Sequence, residues 1–348
     1  MELVRRAVIV ALSAILVAGG VPARAQDTLV RVGYSPLGVP SIIFYIADRL
    51  GFFSSEGLMV DLLPFDSSLK QVAPLAMGDL DVSGSSPSAT LYDTIGKGNG
   101  MRIVADIGRD PPGYGFESLV VRSDLLKSGR YKSAADLRGM RVALQATGVA
   151  YWATLVALLK TAGLSYRDIK PVILRFGDYL GALRDGLVDA ALVPEPAATL
   201  IVRSGVAARI NKDDSFYPNQ EIVVLAYSGR LIKNRPDVGL RFMRAFLRAA
   251  RFYNDGLADG KFSGPNAEAV VKMVVEATMI KDPDVIRESV PAGVDPNGTL
   301  NIASMKQDLA TFRDAGLIRT SVQIERTVDP SFAATRYSSR TPCAGSGQ

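Results

Sequence analysis

The chain has 348 residues, of which 40 are lysine or arginine and 35 are aspartate or glutamate, so its formal charge is +5. It contains one cysteine and no histidine, which excludes Ser-His-Asp and Cys-His nucleophiles and any metal site built on imidazole. A pH switch based on histidine is excluded as well. The length suits about two domains, and 48% hydrophobic with 22% charged residues is ordinary for a soluble globular chain.

Residues 1–25 are predicted to be a secretory signal peptide. A basic start at 1–6 is followed by an apolar run at 7–21, and an Ala-Arg-Ala sequence ends at residue 25. The alternative is an N-terminal membrane anchor, but 15 apolar residues are too few to span a bilayer comfortably. The single thiol, Cys343, lies in the C-terminal tail and forms no internal disulfide. We therefore expect an exported, unanchored protein of a Gram-negative periplasm.

The charge changes when this leader is set aside. Its removal takes away three arginines and Glu2, so the mature charge falls from +5 to +3. The chain lacks the concentrated basic stripe that nucleic-acid binding requires. A nucleic-acid partner is therefore not expected.

Strands and helices alternate along the first part of the chain. Apolar periodicity and glycine stops predict strand 29–34, helix 40–50, strand 58–63, helix 67–78, strand 80–83, helix 87–96 and strand 101–107. Short loops in a β-α-β-α-β-α-β order predict a mostly parallel sheet with helices on both faces.

The pattern restarts after a loop at 108–115. The second unit comprises strand 118–122, a helical turn at 133–138, strand 141–144, helix 149–162, strand 171–175, helix 178–185 and strand 188–193, and is complete by about residue 212. Strand 222–227 and helices at 236–254, 266–278 and 301–315 follow.

The predicted fold class is α/β, with two lobes that are each a mostly parallel sheet flanked by helices. Two crossing segments join the lobes and act as a hinge that closes on a ligand. We assign 26–117 and 223–335 to lobe 1, 118–222 to lobe 2 and 336–348 to a flexible tail.

Six segments carry a family resemblance. They are 32–36 (VGYSP), 47–58 (ADRLGFFSSEGL), 75–82 (LAMGDLDV), 84–88 (GSSPS), 135–142 (ADLRGMRV) and 187–196 (LVDAALVPEP). Together, and in this order, they resemble the periplasmic substrate-binding proteins of ABC importers over about residues 29–335. The nearest branch looks like the binders of nitrate, sulfonates, taurine and thiamin-pyrimidine precursors. The resemblance implies a two-lobed periplasmic binding protein fold, a ligand between the lobes and a permease as partner.

Loops beyond the carboxyl ends of the strands carry the candidate ligand-binding residues, because ligands of open parallel sheets lie there, near helix N-termini. The candidates are Tyr34, Ser35, Ser85, Ser86, Ser88, Tyr114, Thr147, Gly148, Tyr151 and Glu195. The serine-rich loop 83–88 is the strongest, since hydroxyls and free amides suit an anionic or carbonyl oxygen. Structural alternatives stay open: a turn tyrosine at Tyr34, simple helix caps for the serines and a core ring for Trp152.

The charged residues of the candidate loops do not determine the chemical class of the ligand. Loops 83–88 and 145–148 contain no lysine or arginine, so a bare nitrate or sulfonate is not favoured, whereas a zwitterion such as taurine or a neutral heterocycle is allowed. If Glu195 faces the cleft, it favours a ligand with an amine or N–H donor; its alternative is a charge placed against a helix dipole. Four arginines between 241 and 251 predict either a solvated basic face or a docking patch for a membrane partner.

The leading hypothesis is a monomeric binding protein that holds a small polar organic solute, sulfonate- or taurine-like, between its lobes. It delivers this solute to an ABC transporter permease and touches the inner-membrane complex peripherally, without catalytic residues, metal or cofactor. Alternatives are a binder of a pyrimidine-like heterocycle or aromatic carboxylate, and a ligand-binding partner of a membrane sensor. An enzyme of pyrimidine-precursor synthesis and a carboxylate-pair hydrolase are less favoured, because no supporting motif is present.

Overall fold

The computed structural model describes residues 27–35, 39–212, 216–278 and 280–334. The predicted signal peptide and the whole predicted tail, which contains Cys343, lie outside these ranges.

Ten strands form two five-stranded sheets, in the orders β2-β1-β3-β10-β4 and β7-β6-β8-β5-β9. The strands are β1 Thr28–Tyr34, β2 Leu58–Pro64, β3 Val82–Ser85, β4 Arg102–Arg109, β5 Glu117–Arg122, β6 Arg141–Leu144, β7 Lys170–Ile173, β8 Ala190–Pro194, β9 Ala207–Lys212 and β10 Glu221–Tyr227. In the first sheet β1 is parallel to β2 and β3, and in the second β6 is parallel to β7 and β8. The strands that directly follow the crossing segments, β5 and β10, run antiparallel to both of their neighbours.

Helices flank both sheets. They are α1 Ile42–Arg49, α2 Phe52–Ser55, α3 Leu69–Met77, α4 Ala89–Gly96, α5 Ser123–Lys127, α6 Ala150–Thr161, α7 Tyr179–Arg184, α8 Ala197–Arg203, α9 Gly229–Asn234, α10 Pro236–Asn254, α11 Ala267–Ala277, α12 Pro283–Glu288, α13 Ile302–Asp314, α14 Ile324–Thr327 and α15 Ser331–Ala334. The helical turn predicted at 133–138 is a short 3₁₀ segment at Ala134–Leu137, closed by a capping box between Ser133 and Asp136.

Most predicted elements match the structure to within two residues, but some do not. The prediction lacks strand β9 and helices α2, α5, α8, α9, α12, α14 and α15. The predicted third strand, 80–83, differs from β3, which begins at Val82 and ends at Ser85. Part of the predicted serine loop is therefore strand.

Aromatic rings form the centre of the first lobe. Phe242 on α10 stacks on Phe53 at 4.9 Å between ring centroids and also contacts Phe44 and Tyr227, both at 6.2 Å. All four rings are almost completely buried. These contacts attach α10 to α1, α2 and strand β10.

A second apolar core continues from one sheet to the other along the side that carries α4, α6 and α13. It combines Leu91 and Tyr92 of α4 with Leu155 of α6 and Phe312 of α13. Trp152 belongs to this core, with its ring 6.1 Å from that of Phe312, so the structural alternative for this residue is the one observed. We call the α4–α6–α13 contact the seam.

The two crossing segments lie against each other beside the seam. Asp110 N–H donates to Gln220 O at 3.0 Å, and Asn219 N–H donates to Asp110 O at 2.7 Å. The Gln220 side chain donates to Ala150 O of α6 at 3.0 Å and accepts from Thr154 Oγ1 at 2.5 Å. Gln220 thereby ties the crossing segments to the second lobe.

Buried carboxyl groups surround this hinge, and sequence reasoning did not anticipate them. We call them the acidic cluster; its members, all fully buried, are Asp106, Asp110, Glu117, Glu221 and Asp308. Asp308 Oδ1 accepts from Tyr217 Oη at 2.5 Å and from Gln220 Nε2 at 3.2 Å. Burial raises the pKa of Asp308 to about 7 and that of Asp106 to about 6.

The arginines of α10 bind within the chain. Arg244 donates twice to Glu56 Oε2, at 3.1 and 2.6 Å, and Arg241 donates to Glu56 O at 3.0 Å. The Arg248 guanidinium lies 4.2 Å from the centroid of the Phe52 ring. Their main role in the structure is to attach α10 to the α2–β2 connection, a role that neither sequence interpretation had assigned.

Replacing Arg244 by alanine is expected to lower the free energy of unfolding by about 1 kcal/mol, because a half-exposed ion pair contributes little more. Urea unfolding measures this change. Lys272→Ala, at an exposed position of α11, is the control and is expected to stay within about 0.5 kcal/mol of the parent. Equal effects of both substitutions would contradict the proposed attachment.

Candidate ligand-binding cleft

A cavity of about 30 Å³ lies between the lobes, where the loops after β1, β3 and β6 meet. We call it the central cavity; its walls are Ser35, Pro40, Ser41, Ser68, Gly84, Ser85, Ser86, Gln145, Tyr151, Phe176 and Val223. Four predicted ligand-binding residues, Ser35, Ser85, Ser86 and Tyr151, meet here from both lobes. Six of its eleven wall residues carry a hydroxyl group, and the cavity holds little more than a water molecule in this arrangement.

Ser85 has the most distinctive environment of these residues. Its side chain is 2% exposed, and its Oγ atom has no hydrogen-bond partner among the described residues. A buried hydroxyl without a partner is unfavourable, so native proteins rarely leave one unless a ligand or water completes it. Ser85 therefore provides an unpartnered hydroxyl group in the wall of the central cavity.

Ser86 and Gly148 connect the lobes, and the Ser88 side chain caps a helix. Ser86 Oγ accepts from Ala150 N–H at 3.1 Å, and Ala89 N–H donates to Gly148 O at 2.9 Å. Ser88 Oγ caps α4 by accepting from Leu91 N–H at 3.2 Å. The expectation of free amides at the start of α4 is wrong for Ala89 and Leu91, because the opposite lobe and the cap already use them.

Tyr34 lines a second cavity, of about 260 Å³, beside the central one. We call it the tyrosine cavity; its walls are Tyr34, Ser41, Ile42, Tyr45, Leu62, Glu276, Ala277 and Thr278. Tyr45 Oη donates to Glu276 Oε2 at 2.9 Å. Burial, together with this hydrogen bond, raises the pKa of Tyr45, so the phenol stays protonated and able to donate.

A third cavity, of about 220 Å³, lies between α7, α8 and the segment after α11. We call it the apolar cavity; its walls are Phe176, Gly177, Leu180, Pro196, Ala197, Leu200, Ile201, Thr278 and Ile280. It shares Phe176 with the central cavity and Thr278 with the tyrosine cavity. The three cavities are thus neighbouring compartments of one cleft.

Glu195 is a structural residue in this arrangement. Its side chain is fully buried, Oε1 accepts from Arg209 Nη2 at 2.5 Å and Oε2 accepts from Thr199 N–H at 3.0 Å. Both carboxylate oxygens are used by the protein, and Glu195 lines none of the three cavities. The idea that its free charge selects a ligand amine is not supported by this geometry.

Two further predicted residues lie away from the cavities. Tyr114 is in the loop that packs near Gly260, and burial together with the charge of Asp259 raises its pKa. Thr147 is exposed, with Oγ1 3.4 Å from Tyr166 Oη. Neither lines the cleft in this arrangement.

Charge in the cleft is sparse. Glu276 is the single charged residue among the walls of the three cavities, and Arg49 pairs with it at 3.4 Å.

Over the part of the chain that the structure describes, no cluster of acidic or cysteine residues is arranged to hold a metal ion. The helices found there are also too short or too polar to cross a membrane.

The family model described as NMT1/THI5 like matches residues 40–255, which is more than half of the chain. The chain belongs to this family. An aliphatic sulfonates-binding protein of Escherichia coli (strain K12) is 24% identical over 203 residues, which are 57% of this chain and 60% of that protein. The match thus spans less than two thirds of the relative's length.

Solved structures share the fold of this NMT1/THI5-like protein. The alkanesulfonate-binding protein SsuA from Xanthomonas axonopodis pv. citri, bound to MOPS, superposes with a TM-score of 0.68 at 19% identity and covers 88% of this chain and 99% of its own. The nitrate-binding protein NrtA from Synechocystis PCC 6803 reaches 0.74 at 13% identity, covering 88% and 87%. The predicted two-lobed periplasmic binding protein fold is confirmed.

Proposed function

We propose that this protein binds a small organic solute, sulfonate- or taurine-like, between its lobes and passes it to the permease of an ABC importer. The observation that carries the proposal is the buried, unpartnered hydroxyl of Ser85 in a cavity walled by both lobes. The solute's oxygen would accept from Ser85 Oγ and from neighbouring hydroxyls. Binding that needs contacts from both lobes favours the closed state, which is the form a permease can distinguish.

Relatives support the chemical class of the solute. The Escherichia coli relative is named for aliphatic sulfonates, and the Xanthomonas structure holds MOPS, a sulfonate. The walls of the central cavity include no lysine or arginine, so in this proposal hydroxyl groups rather than a cation hold the sulfonate oxygens. Periplasmic location is part of the proposal and depends on the predicted signal peptide.

Replacing Ser85 by alanine is expected to weaken binding of methanesulfonate about 10- to 100-fold, because a hydrogen bond to a charged group contributes about 1.5–3 kcal/mol. Isothermal titration of the leaderless protein measures this change. The ligand-free variant is expected to be at least as stable as the parent, because the hydroxyl it loses has no partner.

Ser54→Ala, on the exposed surface of α2, is the matched control and leaves affinity unchanged. Equal affinity of the Ser85 variant and the parent would overturn the cleft assignment. Chemical turnover of the solute by the purified protein would overturn the transport proposal. Binding of pyrimidines or aromatic carboxylates in place of sulfonates would favour the alternative ligand classes.

A further inference from the structure

We infer that the cleft has a polar and an apolar compartment, and that the ligand carries an apolar body of several carbons that fills the apolar cavity. This inference rests on the proposed function and narrows it. It separates an alkyl or aryl sulfonate from nitrate and taurine, which have no apolar body to place there.

The walls of the apolar cavity are suited to a hydrocarbon group. Of its nine wall residues, only Thr278 has a polar side chain. Leu200 is 38% exposed and is one of the few large apolar side chains that remain so accessible among the described residues. Covering such surface with a ligand is favourable by about 25 cal/mol for each Å² removed from water.

Phe176 connects this cavity to the polar compartment. Its ring forms a wall of both, and it is held edge-on by Tyr151 at 5.6 Å and by Tyr179 at 5.5 Å between centroids. Tyr151 itself lines the central cavity beside Ser85. If the polar head of a ligand accepts from Ser85 Oγ, its apolar body therefore extends past the Phe176 ring into the apolar cavity.

Both lobes supply walls of the apolar cavity. Leu180 and Leu200 belong to the second lobe, whereas Ile280 follows α11 of the first. Arg203, at the end of α8, donates to Asp282 at 3.2 Å and lies 3.8 Å from Glu288 at the other end of α12. An apolar body enclosed here contacts both lobes at once and so stabilises the closed form.

The cavity is better suited to part of a small molecule than to a protein surface. It is a concave space of about 220 Å³ between the lobes, and it continues into a polar site through a shared ring. Small-molecule sites combine an apolar lining with a few polar groups in this way.

Titration with straight-chain alkanesulfonates from one to eight carbons tests the inference. Affinity is expected to rise about fourfold for each added methylene, which corresponds to about 0.8 kcal/mol, until the apolar cavity is full. Leu200→Ala is expected to reduce the affinity for hexanesulfonate about 10-fold and leave that for methanesulfonate within twofold.

Val202→Ala is the matched control. Val202 lies on the same helix and is 37% exposed, but it lines none of the three cavities. The Val202→Ala variant is expected to keep the full dependence of affinity on the length of the alkanesulfonate chain. Affinity that does not depend on chain length, or equal losses in the Leu200 and Val202 variants, would overturn the inference.

These failures differ from a failure of the proposed function. If methanesulfonate binds through Ser85 but longer chains gain nothing, the apolar compartment is refuted and sulfonate binding stands. If no sulfonate of any length binds, both are refuted. If the exposed apolar wall instead captures a second protein molecule, light scattering shows concentration-dependent association that Leu200→Ala abolishes, and the inference is again overturned.

Discussion

Phe242→Ala is expected to lower the free energy of unfolding by about 3–5 kcal/mol, the cost of emptying a well-packed aromatic site. Phe242 is fully buried on α10 and contacts Phe44, Phe53 and Tyr227. Its removal leaves a cavity that the surrounding rings cannot fill, because each is held by the sheet or by another helix. Denaturant unfolding followed by circular dichroism measures the loss.

Two companion variants separate packing from general sensitivity to substitution. Phe242→Leu keeps most of the volume and is expected to lose less than half as much. Leu187→Ala removes a side chain that is 61% exposed and is expected to change stability by less than about 0.5 kcal/mol. Equal losses for Phe242→Ala and Leu187→Ala would contradict the role assigned to the aromatic core.

Stability is expected to fall as the pH rises from about 4 to about 8, contrary to ordinary acid denaturation. Burial raises the pKa of Asp308 to about 7 and that of Asp106 to about 6, and it also raises the pKa of Glu117 and of Glu221. Neighbouring carboxyls add to these shifts, Asp110 at Glu117 and Asp106 at Glu221. In this pH range the folded chain binds more protons than the unfolded chain, so raising the pH favours unfolding.

Asp308→Asn is expected to remove a large part of this slope. The amide resembles the protonated carboxyl, and its oxygen can still accept from Tyr217 and Gln220. Above pH 7 the ionisation of Asp308 lowers the free energy of unfolding by on the order of 4 kcal/mol, which follows from raising its pKa from 3.8 to about 7. Unfolding curves between pH 4 and pH 8 measure the slope of parent and variant.

An exposed acid serves as the control for this pH effect. Glu268 pairs with Arg287 at the surface, and that hydrogen bond lowers the pKa of the Glu268 carboxyl below its ordinary value. Any stability it adds is lost only below about pH 4.5, so Glu268→Gln leaves the slope between pH 5 and 8 unchanged. A parent protein whose stability rises over this range would contradict the protonated state of the acidic cluster.

Local patterns were sufficient to predict most elements. Helix α10 matches its predicted bounds because proline opens it and apolar residues repeat along one face. The antiparallel direction of β5 and β10 was not predicted, since a strand reads the same in either direction. Strand β9 was missed because charged residues interrupt its apolar pattern.

The candidate site shows a different limit. Ser85 and Tyr151 are candidates because they lie at or just after strand ends, and both line the central cavity, since topology decides which loops meet. The sequence did not reveal that Ala150 N–H would engage Ser86 or that Arg209 would engage Glu195, because those partners come from other elements. The sequence does not predict the apolar cavity either, because its walls come from separate elements. Leu180, Leu200 and Ile280 each have the pattern of an ordinary core position in the sequence.

The seam constrains how the two lobes can separate. Trp152, Phe312 and the hydrogen bonds of Gln220 hold the lobes together along one edge, whereas a second edge, at α8 and α12, is closed by the exposed pairs of Arg203 with Asp282 and Glu288. Separation on the first edge would expose a continuous apolar core, but separation on the second breaks only solvent-screened ion pairs. We therefore expect the lobes to rotate about the seam, and the proposed solute to enter and leave at α8 and α12, where its apolar body would be covered last.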